Sequence, residues 1–196
     1  DYLDLQILFN LAWVDPDWLV QEPLAALVAK ESNYSEADKA VLFAEHSRLI
    51  NEVIPVHRDL QNAGQIEVTM TPFAHPILPL LVSTDLALQA MPSVELPGIK
   101  YTYGQDAVAQ IALGVELYED HFGMAPRGMW PAEGSVAQEI VSMVSRAGIR
   151  WMASDEGVLA NSLGMSSFTR NSSEVVTQPD TLYRPYYVQG SQGDPV

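Results

Sequence analysis

The chain contains no cysteine, so a disulfide framework and a thiolate-held metal are both excluded, and the redox compartment leaves no mark on the sequence. It also lacks an apolar run of roughly eighteen residues, the shortest that crosses a bilayer as a helix. Positive charge is scarce. Ten Lys and Arg stand against 25 Asp and Glu, for a formal charge of −15, which repels nucleic acid and anionic membrane and suits a neutral or cationic partner. There is no P-loop, dinucleotide fingerprint, H-E-x-x-H zinc motif or internal repeat. The first residue, Asp1, is preceded by neither an initiator Met nor a basic and apolar leader, so no signal peptide is expected within these residues, and a cytoplasmic or a secreted setting is equally compatible. What remains is ordinary globular composition: 196 residues, 47% hydrophobic and 18% charged, suit one domain with a sizeable core.

The most informative stretch is residues 127–156, RGMWPAEGSVAQEIVSMVSRAGIRWMASDE. Its pattern predicts strand, tight turn, helix and strand, with acids following each strand. Met129 and Trp130 make a short apolar run that Pro131 stops. Ser135 with Gln138 three positions on reads as a capping-box helix start. Val136, Ile140, Val141 and Val144 supply one apolar face, and Gly148 the left-handed stop. Residues 149–153 form the next strand, with Asp155 and Glu156 just beyond it. So short a strand–helix–strand unit implies parallel strands and a right-handed crossover, which brings the acids out at the carboxyl ends of neighbouring strands. Open α/β sheets and barrels keep their chemistry there. Placed before a helix N-terminus, Glu133 is favoured in its ionised form. One ionised carboxylate facing a protonated one is the apparatus of glycoside hydrolysis, and in retaining enzymes the two stand about 5 Å apart. The bland alternative is a capping glutamate at 133 and a solvated turn at 155–156.

Elsewhere the pattern predicts a helix over 3–13, buried on most sides, and a second over 17–30 that breaks or kinks at Pro23. Trp13 reads as core and Asp15 as a cap. Ser35 with Asp38 opens a longer helix whose Leu42, Leu49, Val53 and Leu60 form one stripe, bent at Pro55 and ending at Gly64. A strand over 66–70 leads to His75, on the same rim as Glu133. His75 is either a hydrogen-bonding partner for a sugar hydroxyl or carboxylate, or a histidine that holds the proline-rich turn 75–79. Glu67 and Thr71 are weaker candidates. Residues 82–103 read as a long irregular excursion in which Tyr101 and Tyr103 offer flat faces to a sugar. A clear helix spans 105–122, closed by Gly123. After 157–163, a short helix, come a Ser- and Asn-rich loop, an extended segment over 182–188, and a tail, QGSQGDPV, over 189–196.

The wording of two stretches goes further. GMWPAEGSV followed by IRWMASDEGVLA, and GQIEVTMTPFAHPILPLL over 64–81, resemble glycoside hydrolase family 57, in particular its α-amylase and amylopullulanase branch. The resemblance runs over roughly residues 3–188. It implies a seven-stranded (β/α) barrel, and so a fold class of α/β, partial or compact (β/α)7-type barrel with parallel strands, over 1–196. It implies that Glu133 is the nucleophile, with Trp130 in the aromatic place of the W-P-x-E segment, and tips His75 toward substrate contact. The family's His-Gln-Pro strand and the D-G-E segment that carries its acid/base Asp do not occur here, so the chain resembles the middle of a catalytic domain. Within it, strand alternation selects Asp155 as proton donor and leaves Glu156 as a substrate contact. The expectation is a retaining α-1,4-glucan hydrolase needing no metal or organic cofactor. Its partner is an α-glucan, with no nucleic acid and no membrane. Self-association into a homo-oligomer is expected to cover the edges of an incomplete barrel. A 4-α-glucanotransferase or branching activity, a non-catalytic glucan-binding module or inactive fragment, and a metal-dependent deacetylase are the alternatives.

Overall fold

The computed structural model describes residues 2–190; of the tail expected over 189–196, the part from 191 onward lies outside them. The chain forms two compact units, 1–66 and 67–196.

The first unit is helical: α1 (Tyr2–Leu11), α2 (Pro16–Leu19), α3 (Leu24–Lys30) and α4 (Glu36–Asn62). The run expected as one helix over 17–30 is two, because Pro23 interrupts it, and Asp15 caps α2 by accepting from the Asp17 backbone N–H. Ser35 and Asp38 form the predicted capping box, each side chain accepting from the other's backbone N–H. The Lys30 ammonium and the Ser35 donors hold the Asp38 carboxyl down at about 2. Ile7, Leu11, Leu24, Leu27, Tyr34 and Leu42 make the core. Three expectations fail here, and the first is Trp13, expected in the core but 78% exposed. Helix α1 is not buried on most sides, since Leu5, Leu8 and Phe9 are exposed, and the α4 stripe is buried only at Leu42, with Val53 half exposed. Apolar spacing marks a face without stating what covers it.

The second unit carries α5 (Leu78–Val82), α6 (Ala87–Ala90), α7 (Gly104–Phe122), β1 (Gly128–Met129), α8 (Gln138–Arg146), β2 (Trp151–Met152), α9 (Glu156–Ser162) and α10 (Pro179–Leu182). Strands β1 and β2 are parallel, with Gly128 opposite Trp151, and Met70 bridges Met129 in the same sense. Three parallel chain segments therefore lie side by side, joined by the expected β1–α8–β2 crossover. The α/β class holds. The barrel expected from the sequence is present only as this short parallel sheet. Pro72 and Pro131, which have no N–H to donate, stand just past the paired residues and limit the ladder. Helix α7 turns Ala107, Ile111, Gly114, Tyr118 and Phe122 inward, and Gly123 closes it at φ 71°. Of the other apolar side chains of α7, Val115 packs partly buried against the same core and Val108 is exposed. Ile140, Val144, Ile149, Met129 and Leu78 complete this core. Helix α8 starts at Gln138, not at Ser135, and has no side-chain cap. Residues 132–134 form a 3-10 turn, and Ser135 and Ala137 after it are extended. The extended segment expected over 182–188 instead begins as the last residue of α10. No helix among the described residues is long and apolar enough to cross a membrane.

Candidate active site

Because the three segments are parallel, the residues that follow each of them share one rim of the sheet: 71–75 after Met70, 130–133 after β1 and 153–156 after β2. Two of those turns meet in one hydrogen bond, His75 Nε2 to Glu133 Oε1 at 3.2 Å. Thr71 Oγ1 lies 3.3 Å from the other ring nitrogen, Nδ1. The arrangement is consistent for a neutral ring: the threonine hydroxyl donates to Nδ1, and the proton then sits on Nε2 and points at the carboxylate. The glutamate keeps Oε2 free of that bond, and its side chain is 71% exposed.

Both partners of this bond have left-handed backbone, His75 at φ 54° and Glu133 at φ 56°. Such conformations cost a residue with a Cβ about 1 kcal/mol or more, and they persist where surrounding structure over-determines them. For His75 the surrounding structure is α7. Gln110 accepts from two consecutive backbone N–H groups, Phe73 to its carbonyl at 3.0 Å and Ala74 to its side-chain oxygen at 2.8 Å. One turn on, Gly114 lets the turn approach: a Cβ there would stand 2.8 Å from the Thr71 carbonyl oxygen. For Glu133, the 3-10 turn ends with Gly134 at φ 63°, over which the Trp130 ring lies. Glu133 is thus presented by a strained turn and not by the start of α8, which begins beyond Ala137, so the helix-terminus argument for its charge does not apply.

Asp155 caps α9, its Oδ1 accepting from the Gly157 N–H at 2.7 Å. Glu156 is held in a two-point ion pair by Arg170, at 2.8 and 2.7 Å, and the hydrogen bonds from that guanidinium keep its carboxyl below the usual range. Among the described residues neither acid bonds to Glu133. The two loops nonetheless adjoin, since a Cβ on Gly134 would lie 4.0 Å from the Asp155 backbone nitrogen. Of the residues singled out from the sequence, His75 on one turn meets Glu133 and Trp130 on another, the Asp155 backbone stands next to the second turn, and Glu156 is paired with Arg170. Glu67 serves packing instead. It accepts from Trp151 Nε1 at 2.9 Å, and the indole fills the space above Gly128, where a Cβ would meet it at 2.4 Å. Gln110, Gly114 and Arg170 were not anticipated. Only Gly114 left a signal, an isolated glycine inside a strong helical pattern. Among the described residues no group of three or more His, Asp and Glu is placed to hold a metal ion.

A model of glycosyl hydrolase family 57 matches residues 4–192. A 1,4-alpha-glucan branching enzyme of Thermococcus kodakarensis is 27% identical over 155 residues, 71% of this chain and 20% of that enzyme. Among solved structures, an alpha-amylase of Thermotoga maritima aligns over 91% of this chain and 31% of its own, at 20% identity and a TM-score of 0.47. A branching enzyme of Pyrococcus horikoshii aligns over 88% and 31%, at 16% identity and a TM-score of 0.48. The chain therefore spans only 20% of the length of the curated relative it matches.

Proposed function

The chain belongs to glycosyl hydrolase family 57, and on that premise we propose that it acts on α-1,4-glucan by a retaining mechanism in which Glu133 is the nucleophile. The observation that carries this reading is the Thr71–His75–Glu133 relay, with both its imidazole and its carboxylate held on left-handed turns at the carboxyl rim of the sheet. The Nε2 proton of His75 binds Oε1 and orients the carboxylate, so that Oε2 attacks the anomeric carbon. As that bond forms, the glycosidic C–O bond breaks and the departing oxygen takes a proton from a carboxylic acid. Glu156, fixed to Arg170 with its carboxyl held below the usual range, is a poor source of that proton. Asp155, beside Gly134, is the better one within this chain. In the second step an acceptor hydroxyl attacks the anomeric carbon as the ester C–O bond to Glu133 breaks, and the acceptor's proton passes to the now ionised donor, restoring it. Trp130 supplies an aromatic wall to the bound sugar.

Two acceptors suit the second step. Water gives an α-amylase type of hydrolase. A sugar hydroxyl gives a transferase, a reading favoured by the likeness to a 1,4-alpha-glucan branching enzyme. Product analysis on maltooligosaccharides separates them: only shorter products mean hydrolysis, and products longer than the substrate mean transfer. Self-association belongs to the same reading, as a cover for exposed apolar side chains such as Phe9, Trp13 and Ile50. Light scattering at micromolar concentration tests it, and a monomer speaks against it.

A further inference from the structure

A cavity of about 850 Å³ opens at the carboxyl end of β2, within the size range of ligand sites. Its floor is made by the end of β2, the start of α8 and α9, with Asp155 and Glu156 among the lining residues, and one wall is the segment 182–189. That wall is tied at both ends. The Tyr186 hydroxyl donates to the Thr181 carbonyl at 2.6 Å, and Gln138 Nε2 donates to the Gln189 carbonyl at 2.7 Å. The Arg184 guanidinium stacks over the Tyr186 ring at 4.8 Å. None of these ties uses the side chains of Tyr183 and Tyr187, which line the same cavity and are 72% and 95% exposed. Two large aromatic faces are left open on a fixed segment.

We propose that this cavity is a glucan-binding subsite, with Tyr183 and Tyr187 as the platforms on which sugar rings stack and the Asp155 carboxyl as a hydrogen-bonding partner, through Oδ2, for a sugar hydroxyl. The chemistry of the wall and floor selects the ligand. Glu156 is paired with Arg170, and the Arg184 guanidinium lines the cavity together with Asp155, so the lining carries no excess of either sign and suits a neutral ligand. Asp155 spends Oδ1 on the Gly157 N–H and has Oδ2 outside that bond. A neutral polyol meets all of these: its C–H faces pack on tyrosine rings while its hydroxyls bond to acceptors around them. The cavity also adjoins the Glu133 turn, because Gly134 and the Asp155 backbone stand next to each other. A chain of sugars held there continues toward the nucleophile. The assignment rests on the reading of this chain as glucan-active and gives that reading a second set of residues.

The test is maltoheptaose binding by titration calorimetry to the full chain carrying Glu133→Gln, which prevents turnover. Tyr183→Ala and Tyr187→Ala, made in that background, should each weaken binding by about three- to tenfold, the range expected for one aromatic contact. Tyr183→Phe should bind as the parent does, and so should Tyr2→Ala, an exposed aromatic in the first unit that controls for general stickiness. Near-UV circular dichroism confirms that each variant is folded. Unchanged affinity in both alanine variants overturns the subsite. If reducing-sugar release by the chain with Glu133 intact is nonetheless abolished by Glu133→Gln, the proposed function stands while the subsite falls. Weakened binding with no release from either chain supports the subsite and removes the catalytic reading. No binding by the parent overturns both.

Discussion

Substituting Gly114 by alanine sets two effects of known size against each other. Alanine is favoured over glycine in a helix interior by about 1 kcal/mol, so on propensity alone α7 gains. The added Cβ, however, would lie 2.5 Å from Met70 Cε and 2.8 Å from the Thr71 carbonyl oxygen. The methionine end can swing away. The carbonyl is backbone, in a turn fixed by two hydrogen bonds to Gln110 and by the bridge of Met70 to Met129, so helix and turn must separate. Overpacking of this kind costs about 1–3 kcal/mol, which leaves a net loss of up to about 2 kcal/mol. For a chain of this size each kcal/mol is worth roughly 2–4 °C in Tm. Separation also carries His75 away from Glu133, and a misplacement of about 1 Å in a catalytic constellation can lower turnover by about 100-fold. Thermal melts by far-UV circular dichroism, together with reducing-sugar release from starch, read both effects. A higher Tm with unchanged turnover would refute the claim that α7 sets the position of the histidine turn.

The other predictions use the same contacts. Gln110→Leu removes only the acceptor of the Ala74 N–H. It should cost no more than about 1 kcal/mol of stability but lower turnover, and Gln110→Glu, which keeps an acceptor oxygen, should restore most of it; equal loss in both variants argues against positioning. Asp155→Asn retains a capping oxygen, so folding should survive while activity on starch falls and partly returns on an activated aryl glycoside whose leaving group needs little protonation. The same pattern for Glu156→Gln instead would reverse the assignment of donor. In the first unit, Ser35→Ala should cost about 1 kcal/mol by loss of the cap. Because the Asp38 carboxyl is depressed from 3.8 to about 2 on folding, its stabilisation is complete above 3.8 and is lost as pH falls through about 2. Acid unfolding of Asp38→Asn should be flatter across that window, as followed by circular dichroism.

Where a feature is local in the chain, it was legible before the structure. The Ser35–Asp38 capping box, the Asp15 cap, the closing Gly123 and the β1–α8–β2 crossover depend on residues a few positions apart, and each is present as read. Family membership was legible in the wording around Glu133 and over 64–81, and the match over 4–192 bears it out. What depends on partners distant in sequence was not. The left-handed turn at Glu133 replaces a helix start that Ser135 and Gln138 imitate, because Gly134 and the overlying Trp130 ring decide the backbone there. Glu156 reads as a rim acid until Arg170, fourteen residues on, is seen to hold it. Gln110 acts through its own carbonyl and amide oxygen on a turn 36 residues away, which no spacing rule marks. The α4 stripe shows the opposite failure, a regular apolar pattern whose burial stops at Leu42.

The central claim is that Glu133 is the attacking carboxylate, and reducing-sugar release from soluble starch by the purified 196-residue chain and its Glu133→Gln variant tests it most directly. The amide keeps the shape of the side chain and a carbonyl oxygen to accept from His75, and removes only the charge that attacks. The account predicts measurable release by the parent, collapse of release in the variant, and superimposable circular dichroism spectra. Turnover by Glu133→Gln equal to that of the parent would contradict it.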